Sequence, residues 1–266
     1  KVALEQALAL DDSLPEAYLV RGLLLWTPAE RFPHEQAVSA YRQALALNAK
    51  LDEARGQLGL VLIHVGLLDE AQSELAAALN INQANLLARF RLGVIDLYRG
   101  EYERAYSQFK STTLNGNPSL WYSHAAAALF RLGRESEAKA LLDEYLHENP
   151  KDEGGAGTSV RAMMLAKAGR RGDAEGAIAK AMEIGKNFGH FHHTEVNVAS
   201  SWALLGENEK AIELLERAAD NGFPCYPLFE KDSFLDGLRK EPRFIALMTN
   251  LAQKWNERKR TLGSPR

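Results

Sequence analysis

With 266 residues, 46% of them hydrophobic, the chain is long enough to bury a large core, which sets it apart from short disulfide scaffolds. Its net charge of −3 is spread along the sequence, which disfavours broad binding to nucleic acid or anionic lipid, since both need a basic field. The single cysteine, Cys225, leaves no internal disulfide, and no apolar run approaches the roughly 20 residues of a membrane helix.

The opening residues, KVALEQALALDD, carry acids and lack the apolar core and cleavage pattern of a signal peptide. Leu4, Ala7 and Leu8 fall on one helical face, so this segment reads as the second helix of a pair whose first helix is missing, in a piece cut from a longer chain. Beyond it, small residues recur in pairs twelve apart: Gly59 with Ala71, Gly93 with Ala105, Ala126 with Ala138, Ala162 with Ala174, and Ala199 with Ala211. Successive first members are separated by 34, 33, 36 and 37 residues, and Gly22 with Ala37 extends the series upstream with three extra residues in the turn. A glycine follows each of the five first members after seven residues, at Gly66, Gly100, Gly133, Gly169 and Gly206. The spacing predicts helical hairpins: small side chains let two helices approach, and a glycine ends the first of them. Apolar residues at helical spacing, such as Leu58, Val61, Leu62 and Val65, support helices rather than strands. One hairpin cannot bury both of its apolar faces, so the units must stack.

The order of a large residue, Leu, Gly, a Gly turn, Ala, an aromatic or Leu and a further Ala resembles the tetratricopeptide repeat over roughly residues 1–222. The units EARGQLGLVLIHVGLLDEAQSELAAALNIN and LARFRLGVIDLYRGEYERAYSQFKSTTLNGNP carry it best. The fold class expected is therefore all-α, an α-solenoid of stacked hairpins with a C-terminal capping helix. The expected units are 1–12 (the truncated repeat's second helix), 13–49, 50–83, 84–117, 118–150, a degenerate 151–187, and 188–222, followed by a capping segment, 223–266. In that segment Asp232 can cap a short helix carrying Leu235 and Leu238, and Pro242 can open another bearing Phe244, Leu247, Met248, Leu251 and Trp255 on one face. The phrase FPCYPLFEKDSFLDGLRKEPRF also resembles the closing segment of tetratricopeptide arrays in bacterial eukaryotic-like serine/threonine kinases and winged-helix regulators. It carries no active residue of its own.

Three features compete for a chemical role. The glycine-rich EGGAGTSV, Glu153 to Val160, lacks the Gly-Lys-Ser/Thr ending and the preceding strand of a phosphate loop, and reads as a linker that starts a helix. His190, His192 and His193 with Glu195 offer zinc-type ligands, but not at the HExxH spacing, and a solvent-facing cluster is expected. The cations Arg239, Lys240, Arg243, Lys254, Arg258, Lys259 and Arg260 suit the C-terminal dipole of a helix as well as they suit phosphate. No recognisable catalytic or cofactor motif is present, so the reading is a non-enzyme with neither cofactor nor metal.

What the resemblance implies is a protein-interaction scaffold, with first helices lining a concave groove that takes a peptide or partner protein. A nucleic-acid-binding solenoid is the alternative. Counting family groove positions along each first helix gives Leu60, Leu87, Phe90, Arg91, Val94, Ser123, His124, Ala127, Met163 and Asn197 as the contact set. Leu60, Phe90 and Val94 serve there as apolar anchors, with Arg91 orienting the ligand. The expected setting is the sensory or adaptor arm of a bacterial signalling protein, cytoplasmic, or periplasmic if a membrane span lies upstream. No membrane contact is expected within the segment, and the oligomeric state is left open.

Overall fold

The computed structural model describes residues 2–112 and 117–263, and within them every regular element is helical. A single helix, α1 (Val2–Leu10), packs on α2 and precedes six antiparallel hairpins: α2 (Pro15–Leu25) with α3 (His34–Leu47), α4 (Asp52–His64) with α5 (Leu68–Ile81), and α6 (Leu86–Tyr98) with α7 (Tyr102–Lys110) come first. The remaining three are α8 (Pro118–Arg131) with α9 (Glu135–Glu148), α10 (Ala156–Lys167) with α11 (Arg171–Gly185), and α12 (Phe191–Leu204) with α13 (Asn208–Asp220). The segment joining the third and fourth hairpins, 113–116, lies outside the described residues.

The repeat spacing has a steric cause that the sequence only hinted at. A Cβ added at Gly59 would lie 2.8 Å from Leu75 Cγ, and one at Gly93 would lie 2.6 Å from Phe109 Cε1. Each small residue therefore makes room for a large side chain sixteen positions later, on the returning helix, rather than for its small partner at twelve. At Gly22 the guest is Tyr41, displaced by the three extra residues of that turn. The five turn glycines all have φ between 71° and 81°, the left-handed backbone that ends a helix. The first hairpin has no such glycine. It turns through a short 3-10 segment, Pro28–Glu30, with Arg31 and Phe32 themselves left-handed.

The glycine-rich stretch is a linker that enters α10. The Asp152 carboxylate accepts the backbone N–H groups of Gly157 (2.9 Å) and Thr158 (2.8 Å), so the amides a phosphate would need are already bonded. Gly155 packs so closely on α11 that a Cβ there would meet Ala181 O at 2.4 Å.

The C-terminal segment covers the last hairpin, as an end cap does, and also reaches beyond it. After Gly222 the chain forms α14 (Tyr226–Lys231), a 3-10 stretch over Ser233–Leu238, and α15 (Pro242–Leu262). Besides packing on α12 and α13, this segment returns to the first half of the stack. Trp255 Nε1 donates to Gly66 O at 2.8 Å, Arg258 pairs with Glu35 at 2.9 Å, and Arg42 donates to Leu262 O. His34 bonds Gly222 O at 3.0 Å, and Phe32 lies over Gly222. The solenoid thus closes into a ring, with its last hairpin against its first two and the tail stapling the seam. Buried side chains from all six hairpins and the tail make a core that runs round this ring.

Candidate functional site

The first helices of the second to sixth hairpins line a cavity of about 270 Å³. Its wall carries Leu60 from α4, Leu87, Phe90, Arg91 and Val94 from α6, Ser123, His124 and Ala127 from α8, and Asn197 from α12. Nine of the ten groove positions read from the sequence therefore meet round one space. Met163 does not: it is fully buried with Ala127 and Val160 in a separate core cluster.

The space is smaller than an open groove because the tail occupies part of it. Phe223, Leu228, Lys231 and Asp232 line the same cavity. Asp232 is bonded to Arg131 of α8 at 2.8 Å, with the Asp232 side chain 1% and the Arg131 side chain 10% exposed. A volume of this size, at the lower edge of small-molecule pockets, takes a few side chains rather than a whole helix.

Phe90 is also corrected in role. It is 1% exposed, with its ring 5.1 Å from Phe109 and 5.3 Å from His124, and so is a core residue that only borders the cavity rather than standing free as an anchor. Leu60, Leu87, Leu120 and Phe188 are partly buried apolar residues that a ligand would meet. Arg91 is 7% exposed, and its Nη1 donates to Gly56 O at 2.8 Å. No carboxylate pairs with it among the described residues, and burial lowers its pKa to about 10. Asn197 donates to Ser159 Oγ at 3.0 Å, and His124 Nδ1 donates to Leu120 O at 2.8 Å.

The histidines are not solvent-facing. His192 is 1% exposed, His190 and His193 are partly buried, and all three meet His64 from α4. One nitrogen from each of the four rings lies within 4.8 Å of the others. His190 precedes the helix, so its ring can reach back, while His192 and His193 lie 4.7 Å apart and both pack on Phe223, at centroid distances of 5.6 and 4.6 Å. Burial pushes the pKa down at every one, to about 4 at His190 and about 3 at His192, so all four are neutral near pH 7. Glu195 takes no part. It is buried with Arg217 at 2.5 Å.

Sequence reasoning missed His64, Tyr98 and Arg131, although a signal existed: they lie one helical turn beyond the groove positions Leu60, Val94 and Ala127 and continue the same inward stripe. Of the tail cations, Arg239, Arg243 and Arg258 are engaged within the chain. Arg243 bonds Glu216 and Glu209, Arg239 donates to the carbonyls of Phe229, Glu230 and Asp232, and Arg258 holds Glu35.

No protein-family model matches the sequence, and no curated protein matches it. Solved structures do. A tetratricopeptide repeat protein from Parabacteroides merdae is similar over 88% of this chain and 89% of its own, with TM-score 0.61 at 16% identity. PilF of Pseudomonas aeruginosa is similar over 87% and 98%, with TM-score 0.53 at 17% identity. Yeast Tom70 is similar over 97% of this chain and 58% of its own, with TM-score 0.56 at 15% identity. At these identities the likeness is one of fold: the chain is an all-α helical solenoid of tetratricopeptide type. No helix among the described residues is long and apolar enough to cross a membrane.

Proposed function

We propose that the chain is a protein-interaction scaffold that takes an apolar side chain of a partner peptide or protein into the inward cavity. Arg91 then donates to a carbonyl or carboxylate of that partner. The observation that carries this reading is a guanidinium with no carboxylate partner among the described residues, set in a wall whose apolar part includes Leu60, Leu87 and Val94. An unpaired buried cation is costly, and a ligand oxygen that reaches it recovers that cost while the apolar wall supplies affinity. The engagement of Arg239, Arg243 and Arg258 within the chain supports a protein rather than a nucleic-acid partner. The resemblance of the tail to kinase-linked and winged-helix-linked arrays suggests the sensory or adaptor arm of a bacterial signalling protein as its setting. We read the segment itself as a binding module, not an enzyme.

The test is fluorescence anisotropy with a library of labelled apolar peptides, repeated with mixed-sequence RNA and DNA over a salt series. Peptide binding should be lost in Leu60→Glu with helicity intact, and should weaken about tenfold in Arg91→Met, the scale of a hydrogen bond to a charged group. Peptide affinity unchanged in both variants would overturn the reading, and a steeply salt-dependent affinity for nucleic acid would favour the alternative.

A further inference from the structure

The structure assigns His64, His190, His192 and His193 a further role: together they form a binding site for one late first-row transition-metal ion of the zinc type. Three features of the geometry point to it.

The first is convergence. A residue that ends α4 and three that open α12 place four ring nitrogens within 4.8 Å of one another. A tetrahedral ion with bonds of about 2.05 Å needs nitrogens about 3.3 Å apart. Two pairs already have that spacing, His64 Nε2 with His193 Nε2 at 3.2 Å and His190 Nδ1 with His192 Nε2 at 3.3 Å. Rotation of the rings by about 1 Å or less at their tips closes the remainder.

The second is orientation. His64 Nδ1 lies 2.9 Å from Leu60 O, and His192 Nδ1 lies 2.8 Å from Asn221 O. A carbonyl oxygen only accepts, so both Nδ1 atoms carry the proton, and both Nε2 lone pairs are turned into the cluster. Metal-ligating histidines are fixed in this way, with the far nitrogen donating to an outer partner. Tyr98 Oη, 3.5 Å from His193 Nδ1, is placed to be the third such partner. Without an ion, His193 must donate from Nε2 to His64 and His190 must donate from Nδ1 to His192. With one, those two protons move to the other nitrogen of the same ring, and no proton is lost.

The third is the surroundings. Trp26, Phe32 and Phe223 pack on the rings, with centroids of 4.8 Å from Trp26 to His64, 5.3 Å from Phe32 to His192 and 5.2 Å from Phe223 to His64. This shell keeps bulk water from competing for the ion, while His64, His190 and His193 line the cavity and give the ion a way in. The four ligands are neutral nitrogen donors with no carboxylate among them, a set that suits zinc, copper, nickel or cobalt and offers nothing to calcium or magnesium.

The experiment uses the whole chain, stripped with a chelator and returned to metal-free buffer at neutral pH. Zinc uptake is measured in competition with a chromophoric chelator, and cobalt uptake by visible absorption. The expected result is one equivalent of zinc, an intense cobalt d–d band of a tetrahedral nitrogen site, a raised melting temperature, and no competition from excess magnesium. His193→Gln and His192→Asn should each lower zinc affinity by more than the roughly 10–100-fold that loss of an outer-shell partner costs. His147→Gln, at an exposed position on α9, should leave it unchanged. The proposal is overturned if the folded wild-type chain takes up no zinc and shows no cobalt band, or if uptake persists unchanged in a folded cluster variant. Because the cobalt spectrum is read on the wild type, a variant that fails to fold does not weaken the test. The outcome is also independent of whether peptides bind the cavity.

Discussion

Trp255 Nε1 donates to Gly66 O across 2.8 Å, joining the last helix to the turn between α4 and α5, 189 residues earlier in the chain. No repeat-to-repeat contact requires this bond; it exists because the ring closes. Trp255→Phe keeps an aromatic ring beside Tyr226 but removes the donor. The expected cost is about 1 kcal/mol in chemical denaturation. Amide exchange should quicken in α15 and in the turn at Gly66 but not in α8 or α9.

The Arg131–Asp232 pair should matter far more. Asp232 also accepts the backbone N–H of Phe234 at 3.0 Å, while the Arg131 guanidinium lies 4.7 Å from the Phe234 ring centroid. Asp232→Ala strands a buried cation, and unfolding free energy should fall by about 3–5 kcal/mol. The double variant Arg131→Met, Asp232→Leu should recover most of the loss, because it leaves no charge to desolvate. Equal losses in the single and double variants would show that the tail is held by packing alone.

Stability should decline on mild acidification. His34, bonded to Gly222 O and facing Arg258 and Glu35, is held by burial at a pKa of about 4; Arg258 lowers it further and Glu35 opposes. His124, with Nδ1 on Leu120 O, is also held at about 4 by burial. A depressed histidine pKa means the unfolded chain binds protons first. The stabilisation is therefore complete above about pH 6.5 and is lost as pH falls towards 4, at about 1.4 kcal/mol for each tenfold difference in proton affinity. Denaturation midpoints measured from pH 7.5 to 4.5 should fall steadily. His124→Phe should flatten the slope, and an unchanged slope would mean that His124 takes up its proton without cost.

Two glycines of one repeat type should fail for different reasons. Gly59→Ala puts a methyl 2.8 Å from Leu75 Cγ, an overpacking cost of about 1–3 kcal/mol that Leu75→Val should partly relieve. Gly133 has φ of 76° with open space round it, so Gly133→Ala should cost about 1 kcal/mol through backbone strain alone. Gly133→Asn should cost less, because asparagine tolerates that conformation. Thermal melts of the four variants separate packing from backbone.

Phe90→Glu, which a reading of the groove positions alone would choose as a binding-deficient variant, should instead lower helicity or yield. A charge there has no exit to solvent: the residue is 1% exposed and backed by Phe109 and His124. Circular dichroism of that variant beside Leu60→Glu tells the core residue from the wall residue.

The local chain by itself determined the hairpins. Small residues, turn glycines and large residues sixteen apart act within about 34 residues, and the left-handed φ at Gly66, Gly100, Gly133, Gly169 and Gly206 follows from that spacing alone. The inward stripe was legible for the same reason: a helical face is a matter of periodicity, and nine of ten positions reached the cavity wall. What the sequence could not give was the accumulated curvature. Small rotations between successive hairpins, each set by side-chain packing, add up to bring α12 against α4, and only then do His64 and His193 meet across 129 residues. The same sum makes the end cap a staple as well and replaces an open groove with a cavity. Met163 fell on the core side of its helix because orientation within the ring, and not periodicity, decides which neighbour covers a face.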